Sequence, residues 1–567
     1  MNNTWHELVP YKGRFFDGEW PTITEMFNIS LSRFPKRPCL TVYNPDRISY
    51  TFEEAYSLVQ RVASLMIEDG VKKGDRVLLN GKNSIQWAVG YLAVNYCGAV
   101  VVPIDNQMEI ENCIKLSSFA GCSYILADTD VIEKIGNCGF DFNTLKGMMA
   151  LQGKSDEIRS ISEAKPSTVY DYVHSSDEDL AALLFTSGTT GNEKAVMLTN
   201  RNIVSDTYLV ADGMGCTEKD TFYALLPLHH SYCCTTVLLE AIKHGAECLF
   251  GHGVILSHIL KDLKNGHVTI FMGIPLLYNK MLSGIEKGME KKGAVANRSL
   301  HIMMSVNGFM KEHFGFAPFR GFFRKKVLSQ LGLDYNNLLI CGAGPLAPKV
   351  SQKYNQMGLD FLQGYGLTEC SPVVTLNPKD HFKPASIGRA LKGMDVIISD
   401  PDEHGVGEIR VKGPNVTVGY YGDKEHTEEL FDENGYLRTG DLGRVDDEGY
   451  FFICGRAKNI IVTSGGKNVY PEEIEDHFQT DSAIEQIMIR GYMEDRSDPS
   501  EKIEAVIFPS PEYYRNYSED DKETDIREHV KRVNATLPSY KKIEKVTILN
   551  QRMKETTTRK IKRNTVA

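Results

Sequence analysis

The chain alternates short apolar runs with longer amphipathic segments between about residue 35 and residue 376. Near-continuous apolar runs at residues 76–80 and 99–104 predict buried strands. A segment between such runs begins with Thr51, followed three residues later by Glu54, which is the pattern of a helix N-cap. Because buried parallel strands are joined by helices, the alternation predicts an α/β domain whose parallel sheets are covered by helices.

The pattern changes twice further along the chain. From residue 395 it breaks into short β segments separated by turns, which predicts a small antiparallel β subdomain. From about residue 459 strands and helices mix in a way typical of a small α+β domain. Residues 132–165 are polar and weakly patterned, and we expect them to be surface elaboration. We predict a large N-terminal domain over residues 1–458 and a small C-terminal domain over residues 459–567.

Composition narrows the class of protein. The 567 residues are 42% hydrophobic and 24% charged, which is ordinary for a soluble globular protein. A net charge of −10 gives no support for a nucleic-acid partner. The start of the chain lacks the pattern of a secretory signal, and the apolar run at residues 88–102 is short for a membrane span, so we expect a cytoplasmic protein without a transmembrane segment. Twelve cysteines without a C-x-x-C spacing predict reduced, mostly buried thiols.

A loop rich in small residues follows the apolar run at residues 181–185. It reads T-S-G-T-T-G-N-E-K over residues 186–194. Glycines let successive N–H groups converge on an anion, and hydroxyls and a lysine add donors, so the composition predicts a phosphate-binding loop. A plain surface turn is the alternative. The loop is not a Walker loop. Lys194 matches the lysine of that motif, but Glu193 stands where it requires Gly and Ala195 where it requires Ser or Thr.

Further polar clusters have the same character. Glu369 stands among glycines after a short apolar strand, where it could hold a divalent cation against phosphate oxygens. Asp441, at the end of a β segment, is suited to accept hydrogen bonds from a vicinal diol. Arg456, Lys458 and the loop at residues 464–468 add cations and donors. Each cluster alone also fits a turn or a surface ion pair, whereas together they indicate a nucleotide site.

In their order and separation, seven motifs resemble those of the adenylate-forming superfamily of acyl-CoA synthetases, luciferases and peptide-synthetase adenylation domains. They are LFTSGTTGNEK at residues 184–194, PLHH at 227–230, GAGPL at 342–346, YGLTE at 365–369, TGD at 439–441, GRAK at 455–458 and TTTRKI at 556–561. The resemblance extends over nearly the whole chain. Within the superfamily, residues 458–475 are most similar to the long-chain fatty-acid CoA ligases.

The resemblance implies a two-step reaction with ATP, Mg²⁺ and CoA. A carboxylic acid, expected to be a medium- or long-chain fatty acid, would attack ATP to give an acyl adenylate, and CoA would displace AMP to give acyl-CoA. The implied phosphate-loop residues are Thr186, Ser187, Gly188, Thr189, Thr190, Gly191 and Lys194. The other implied nucleotide contacts are Gly342, Ala343, Gly344, Tyr365, Gly366, Thr368, Asp441 and Arg456, with Glu369 as the metal ligand.

Specific roles follow from the same resemblance. The loop at residues 342–345 and Tyr365 would enclose the adenine, and Thr368 would meet the α-phosphate. Asp441 would hold the ribose, with Arg456 close to ribose and phosphate.

Lys560 corresponds to the family lysine that reaches the substrate carboxylate and the α-phosphate. Its surroundings depart from the usual pattern, since Arg559 replaces a glycine and Lys554 replaces a proline. A solvated basic tail over residues 541–563, with peripheral membrane contact as a further hypothesis, is the alternative. Lys458 corresponds to the hinge about which the small domain rotates. That rotation would bring Gly465, Gly466 and Lys467 towards the thiol.

Some assignments stay open at this level. His230 matches a position near the acyl pocket of family members, whereas His229 has no assigned role. Transfer to an acyl or peptidyl carrier protein is the main alternative to CoA, because both thiols share a pantetheine arm. A luciferase-type oxygenase and a non-catalytic acyl-binding protein are more distant alternatives.

Overall fold

The computed structural model describes residues 5–43, 46–163, 165–186, 193–251, 253, 255–463, 467–493, 500–556 and 560–565. The strands are, in chain order, β1 (Pro38–Tyr43), β2 (Arg47–Thr51), β3 (Arg76–Asn80), β4 (Val100–Pro103), β5 (Cys122–Ala127), β6 (Gly147–Ala150), β7 (Leu180–Thr186), β8 (Lys194–Thr199), β9 (Thr221–Ala224), β10 (Glu247–Phe250), β11 (Ile270–Gly273), β12 (Leu338–Cys341), β13 (Asp360–Gly366), β14 (Val373–Leu376), β15 (Arg389–Ala390), β16 (Asp395–Ser399), β17 (Gly407–Lys412), β18 (Leu437–Val445), β19 (Phe451–Arg456), β20 (Ile461–Val462), β21 (Asn468–Val469), β22 (Ile484–Tyr492), β23 (Lys502–Pro509) and β24 (Lys545–Ile548).

The α-helices are, in chain order, α1 (Ile23–Arg33), α2 (Phe52–Glu68), α3 (Ile85–Tyr96), α4 (Ile110–Phe119), α5 (Thr129–Asn137), α6 (Asn200–Met214), α7 (Ser231–Cys233), α8 (Glu240–His244), α9 (Leu256–Asn265), α10 (Pro275–Glu290), α11 (Ala294–Phe314), α12 (Arg320–Lys326), α13 (Pro348–Gln356), α14 (Lys424–Leu430), α15 (Pro471–Glu475) and α16 (Glu519–Asn534). A π-helical segment, Cys234–Leu239, joins α7 to α8.

Local sequence signals account for several helix boundaries. The hydroxyl of Thr51 accepts a hydrogen bond from the backbone N–H of Glu54, and the Glu54 carboxylate accepts one from the backbone N–H of Thr51. This reciprocal pair confirms the predicted start of α2. Helix α3 is buried along its whole length and leads into the buried strand β4, as the apolar run at residues 88–102 predicts.

Two large sheets form the body of the N-terminal domain. One has nine strands in the order β15-β14-β13-β12-β11-β9-β10-β1-β2, and the other has six in the order β6-β5-β3-β4-β7-β8. The inner strands of both sheets are parallel, and antiparallel pairs occur towards the edges, for example β13 with β14 and β7 with β8. The prediction that residues 132–165 are only surface elaboration is wrong, because β6 pairs with β5 and buries Met149.

The two smaller units also follow the predicted patterns. Strands β16 to β19 form an antiparallel four-stranded sheet, as the turn-rich sequence after residue 395 indicates. In the C-terminal domain β22, β23 and β24 form a three-stranded sheet against which α15 and α16 pack, with Ile474 and Ile526 in the shared core. The predicted fold class, a multi-subdomain α/β domain followed by a small α+β domain, is confirmed.

The basic segment at residues 541–563 belongs to this C-terminal sheet. Strand β24 pairs in parallel with β23, and Met553 is buried beneath it. Arg563 lies 2.6 Å from a carboxylate oxygen of Glu475 and donates a hydrogen bond to the carbonyl of Ile489. The alternative of a purely solvated tail is therefore wrong.

Cysteine usage and helix hydropathy agree with the composition. All twelve cysteines are free thiols, and nine of them are buried. Burial raises the pKa of the buried Cys113 and Cys454 thiols to about 11, so these groups are inert at neutral pH. Across the residues that the structure describes, no helix combines the length and the apolar character needed to cross a bilayer.

Candidate active site

Tyr365, Asp441 and Arg456 form a polar set where the nine-stranded and four-stranded sheets meet. Asp441 and Arg456 are cross-strand partners on β18 and β19, and Tyr365 comes from β13. The Tyr365 hydroxyl donates a hydrogen bond of 2.7 Å to Oδ2 of Asp441, and Nε of Arg456 lies 2.9 Å from Oδ1. Burial, and then Asp441, raise the pKa of Tyr365, while Asp441 raises the pKa of Arg456. Because each carboxylate oxygen has two acceptor sites, Asp441 can still accept hydrogen bonds from a diol.

Glu369 is held beside this set by a second tyrosine. It lies in the short 3₁₀ turn Thr368–Cys370, and its Oε1 accepts a 2.9 Å hydrogen bond from the hydroxyl of Tyr420. Burial, and then Glu369, raise the pKa of Tyr420. The ammonium of Lys194 lies 4.7 Å from the centre of the Tyr420 ring, so the aromatic face links the predicted phosphate-loop lysine to the predicted metal ligand.

The two ends of the predicted phosphate loop are adjacent. Thr186 ends β7, Lys194 begins β8, and the two residues pair across the antiparallel ladder. Ser187, Gly188, Thr189, Thr190 and Gly191 lie outside the described residues.

Glu193 has an exposed side chain close to two cations. Partial desolvation raises its pKa, and Lys562 and Lys115 counteract that rise. Since Lys562 follows Lys560 in the C-terminal domain, the acidic end of the phosphate loop lies near the segment that carries the predicted adenylation lysine.

The loop that follows β12 carries the predicted adenine contacts. Ala343 adopts a positive φ of 64°, and Gly342 lies so close to Tyr232 that a Cβ would stand 2.9 Å from its ring. Gly344 lies beside Pro275 at the start of α10. The half-buried Tyr232 ring therefore limits how close this backbone can come to the strands below it.

Gly366 has a structural reason for its identity that is independent of any ligand, and Thr368 contributes its backbone to the same turn. A Cβ at residue 366 would lie 1.8 Å from the carbonyl oxygen of Pro372, so only glycine fits at this position. The carbonyl of Thr368 accepts the backbone N–H of Ser371, which closes the turn that bears Glu369. Their predicted nucleotide contacts stay predictions.

Lys560 comes from the C-terminal domain, and Arg456 and Asp441 of the polar set are near enough to affect its charge. Its backbone N–H donates to the hydroxyl of Thr556, and its carbonyl accepts the backbone N–H of that residue. Desolvation, and then the positive charge of Arg456, lower the pKa of Lys560, whereas the negative charge of Asp441 raises it. Lys560 in turn contributes to lowering the pKa of His230. These mutual effects indicate that Lys560, Arg456, Asp441 and His230 share one electrostatic environment.

Two family models match this chain. The AMP-binding enzyme model matches residues 27–421, and the AMP-binding enzyme C-terminal domain model matches residues 458–567. The chain belongs to the AMP-binding enzyme family. This confirms the membership that the seven motifs indicate.

Curated relatives of this AMP-binding enzyme include long-chain-fatty-acid–CoA ligases. ACSBG2 of Rattus norvegicus is 28% identical over 80% of this chain and 72% of its own length. The ligase heimdall of Drosophila melanogaster is 27% identical with the same coverage of both chains. The predicted resemblance to long-chain fatty-acid CoA ligases is thus confirmed at the level of relatives.

Solved structures share the fold of this AMP-binding enzyme. The anthranilate CoA ligase AuaEII with anthranoyl-AMP has a TM-score of 0.78 at 19% identity, and each chain covers 96% of the other. ATP-bound MatB from Rhodopseudomonas palustris has a TM-score of 0.75 at 23% identity, covering 96% of this chain and 98% of its own. At these identities the likeness supports the fold alone.

The hinge and the thiol-side loop of this family member are described in part. Lys458 lies in the 3₁₀ turn Ala457–Asn459, where burial, and then Arg456, lower its pKa. Lys467 is exposed, and its carbonyl accepts the backbone N–H of Thr463. Gly465 and Gly466 lie outside the described residues.

His229 and His230 are neutral at physiological pH. Their ring centres lie 4.3 Å apart. Burial lowers the pKa of His229 to about 4, and burial followed by the effect of His229 lowers the pKa of His230 to about 3. Within the described part of the chain, Nε2 of His229 is buried without a hydrogen-bond partner. Neutral imidazoles are consistent with the lining of an acyl pocket, and that role stays a prediction.

Sequence reasoning did not identify Tyr420 or Gln479 as functional. Tyr420 lies in the run Gly-Tyr-Tyr-Gly at residues 419–422, whose paired tyrosines between glycines were the available signal. The sequence around Gln479 contains no motif that indicates a function, because the role of this residue depends on contact between the domains. Its side chain accepts the N–H of Ala347 at 2.8 Å and donates to the carbonyl of Pro345 at 3.2 Å. Gln479 thus joins the C-terminal domain to the end of the predicted adenine loop.

Proposed function

We propose that the protein activates a carboxylic acid with ATP to an acyl adenylate and transfers the acyl group to CoA, releasing AMP and pyrophosphate. The acid we propose is a medium- or long-chain fatty acid. The observation that carries the proposal is the arrival of Lys560, from the C-terminal domain, beside the Asp441–Arg456 pair of the N-terminal domain. In that position the Lys560 ammonium could contact both the substrate carboxylate and the phosphate of a nucleotide whose ribose is bound by Asp441.

In the first step a carboxylate oxygen attacks the α-phosphorus of ATP, and pyrophosphate leaves. The reactants are all anions, so catalysis depends on positioning and on positive charge more than on covalent help. We assign Asp441 to the ribose hydroxyls, Lys194 and the loop after Thr186 to the β- and γ-phosphates, and Lys560 to the carboxylate and the α-phosphate. Desolvation, and then Arg456, lower the pKa of Lys560, and an anionic substrate would offset both effects by attracting the cation.

The residues present also fit a magnesium ion. Mg²⁺ in nucleotide sites commonly takes one or two carboxylates, with substrate phosphates and waters completing its shell. Glu369 is a single half-buried carboxylate, and its Oε1 accepts a hydrogen bond from Tyr420. We therefore assign Glu369 as the protein ligand of a Mg²⁺ that would offset charge on the phosphate oxygens.

In the second step the thiol of CoA attacks the acyl carbon, and AMP leaves with the oxygen that it received from the acid. We propose that the C-terminal domain first rotates about Lys458, which removes Lys560 and brings Gly465, Gly466 and Lys467 to the thiol. The short link between β19 and β20 joins the two domains, and within it Asn459 donates a hydrogen bond of 2.8 Å to Glu472.

The relatives support CoA and a fatty acid as the substrates. Those described above are named long-chain-fatty-acid–CoA ligases, and we extend that substrate class to this chain. Transfer to a carrier protein is not favoured, because these relatives are named as CoA ligases. A cytoplasmic location stays a prediction.

A panel of acids tests the proposal directly. The protein is incubated with ATP, Mg²⁺, CoA and each acid from acetate to oleate, and acyl-CoA, AMP and pyrophosphate are measured. We expect equal amounts of the three products and maximal activity with a medium- or long-chain acid. Maximal activity with acetate or benzoate would contradict the fatty-acid assignment. ATP binding without pyrophosphate release for any acid would instead support an acyl-binding protein.

A further inference from the structure

Helix α11 carries an apolar stripe on the side that faces solvent, in addition to its buried apolar side. Leu300 and Met304 pack into the core of the N-terminal domain. Ile302, Val306 and Phe309 project from the opposite side with exposed fractions of 58%, 40% and 56%. At about 100° per residue these three side chains form a stripe about 60° wide. A helix on the surface of a globular domain normally carries polar residues there.

Exposed apolar side chains extend to both ends of the helix. Val295 lies in its first turn with an exposed fraction of 83%, Phe314 is its last residue at 64%, and Phe316 follows the helix at 51%. The ring of Phe309 lies 6.4 Å from that of Phe314 and 4.3 Å from the His313 ring, so the aromatic end is continuous. We call Val295, Ile302, Val306, Phe309, Phe314 and Phe316 the α11 patch. Contiguous exposed apolar side chains of this extent mark binding surfaces.

The segment that contains the α11 patch is rich in positive charge, although the protein is acidic overall. Residues 280–326 contain ten lysines and arginines against three glutamates, a surplus of seven positive charges, whereas the whole chain has a net charge of −10. The exposed cations of this segment include Lys291, Lys292, Arg298, Lys325 and Lys326. An apolar stripe flanked by lysines and arginines complements a surface that combines negative charge with a hydrocarbon interior.

We propose that the α11 patch docks onto an anionic lipid bilayer. The phenyl groups of Phe309 and Phe314 would enter the boundary between headgroups and acyl chains, and Lys325 and Lys326 would contact anionic headgroups. A protein partner would need an apolar groove rimmed with acidic residues, whereas a bilayer supplies both features without a specific shape. The charge asymmetry of residues 280–326 therefore favours lipid. The proposal goes beyond the reaction, since docking needs neither ATP nor an acid.

Vesicle sedimentation without nucleotide tests the apolar part of the surface. One set of vesicles is phosphatidylcholine alone, and the other is phosphatidylcholine and phosphatidylglycerol in equal parts. We expect the protein to bind the mixed vesicles. Phe309→Ser/Phe314→Ser should lower that binding at least about tenfold, because the variant lacks the two phenyl groups that would be buried in the bilayer. Val169→Ser, a change at another exposed apolar position, should bind like the unchanged protein.

A second pair of variants tests the charge. Lys325→Glu/Lys326→Glu should lower binding to the mixed vesicles about tenfold or more and make the remainder less sensitive to salt. Lys154→Glu/Lys219→Glu, with the same change in net charge at exposed positions outside the segment, should retain most of the binding. All variants should keep their melting temperature and their turnover of a short, water-soluble acid, which separates docking from the reaction.

Three results would overturn the proposal. The first is equal binding to both vesicle types, and the second is no binding to either. The third is unchanged vesicle binding by Phe309→Ser/Phe314→Ser together with a change in molar mass by light scattering, which would assign the α11 patch to self-association.

Discussion

The nucleotide side of the candidate site and the segment that bears Lys560 are built in opposite ways. Asp441 is buried, fixed by Tyr365 and Arg456, and supported by strands from two sheets. Lys560 is held through its backbone, by two hydrogen bonds to Thr556. Among the described residues, none forms an ion pair or hydrogen bond with its ammonium.

This difference indicates that the Asp441 carboxylate is in place before substrates bind, whereas Lys560 depends on the position of the C-terminal domain. Rigid partners hold the Asp441 carboxylate in one place whether or not a substrate is bound, which suits a group that binds the nucleotide in both half-reactions. A lysine that is free at its tip and carried by a separate domain can leave the site after the first step. The comparison therefore predicts that substitutions on the two sides will divide the half-reactions differently.

The largest selective effect is expected for Lys560→Ala. Formation of the acyl adenylate should fall about 10²–10³-fold, because a cation that acts on developing negative charge is lost. Thioester formation from supplied acyl adenylate should be largely retained. Both steps are measured separately, by pyrophosphate release and by acyl-CoA formation. Lys562→Ala, two residues away and exposed, is the matched control and should leave both rates near normal. Equal loss in both steps would remove the distinction.

Asp441→Asn should impair both half-reactions together. The substitution leaves Arg456 without its carboxylate, and breaking a charge pair of this kind costs about 2–5 kcal/mol. We expect kcat/KM for ATP to fall at least about 30-fold, measured by steady-state kinetics at varied ATP. Asp432→Asn is a suitable control, since Asp432 pairs with Arg410 in the same sheet, away from the site. A defect confined to adenylation would contradict the shared role of Asp441.

Much of this arrangement was predictable from sequence because its signals are local. The capping pair of Thr51 and Glu54 and the turn-rich strands after residue 395 depend on neighbouring residues, and the structure contains both. The motifs that predict a nucleotide site could be found in the sequence because their residue types carry chemistry of their own, and the roles of those residues stay predictions.

What the sequence could not supply are contacts between distant segments. Strand β24 is short and basic, and only its pairing with β23 makes it part of a sheet. Tyr420 meets Glu369 from 51 positions away, and Gln479 meets Pro345 from the other domain. The hydrophobic periodicity around Tyr420 or Gln479 does not predict these contacts.

Gln479→Ala tests whether contact between the domains supports the first step. Loss of its two hydrogen bonds to Pro345 and Ala347 should lower adenylation about 5- to 30-fold, at roughly 0.5–1 kcal/mol for each bond. Thioester formation from supplied adenylate should change less, because we propose that the C-terminal domain has rotated by then. Gln330→Ala, at an exposed position in the N-terminal domain, is the control. A larger loss in the second step would contradict the proposed order of conformations.

The smallest effects concern His229 and His230. Because burial holds their pKa values at about 4 and about 3, below the usual 6.5, both are neutral at pH 7 and favour the folded state there. That contribution should be complete above pH 6.5 and decline as the pH falls through 4. Denaturation of His229→Asn at several pH values should show a weaker acid dependence than the unchanged protein.

The two regions can also be compared through one histidine. Lys560 contributes to the low pKa of His230, so Lys560→Ala should raise that pKa slightly, as NMR titration can measure. An unchanged value would place Lys560 outside the shared environment in solution.

In the proposed first step, a carboxylate oxygen attacks the α-phosphorus of ATP. This step can be traced with a fatty acid whose carboxylate carries ¹⁸O, together with ATP, Mg²⁺ and CoA, followed by mass spectrometry of the nucleotide product. We expect AMP with one ¹⁸O atom for each acyl-CoA formed and no label in pyrophosphate. Unlabelled AMP, or formation of ADP with labelled phosphate, would contradict the proposed step.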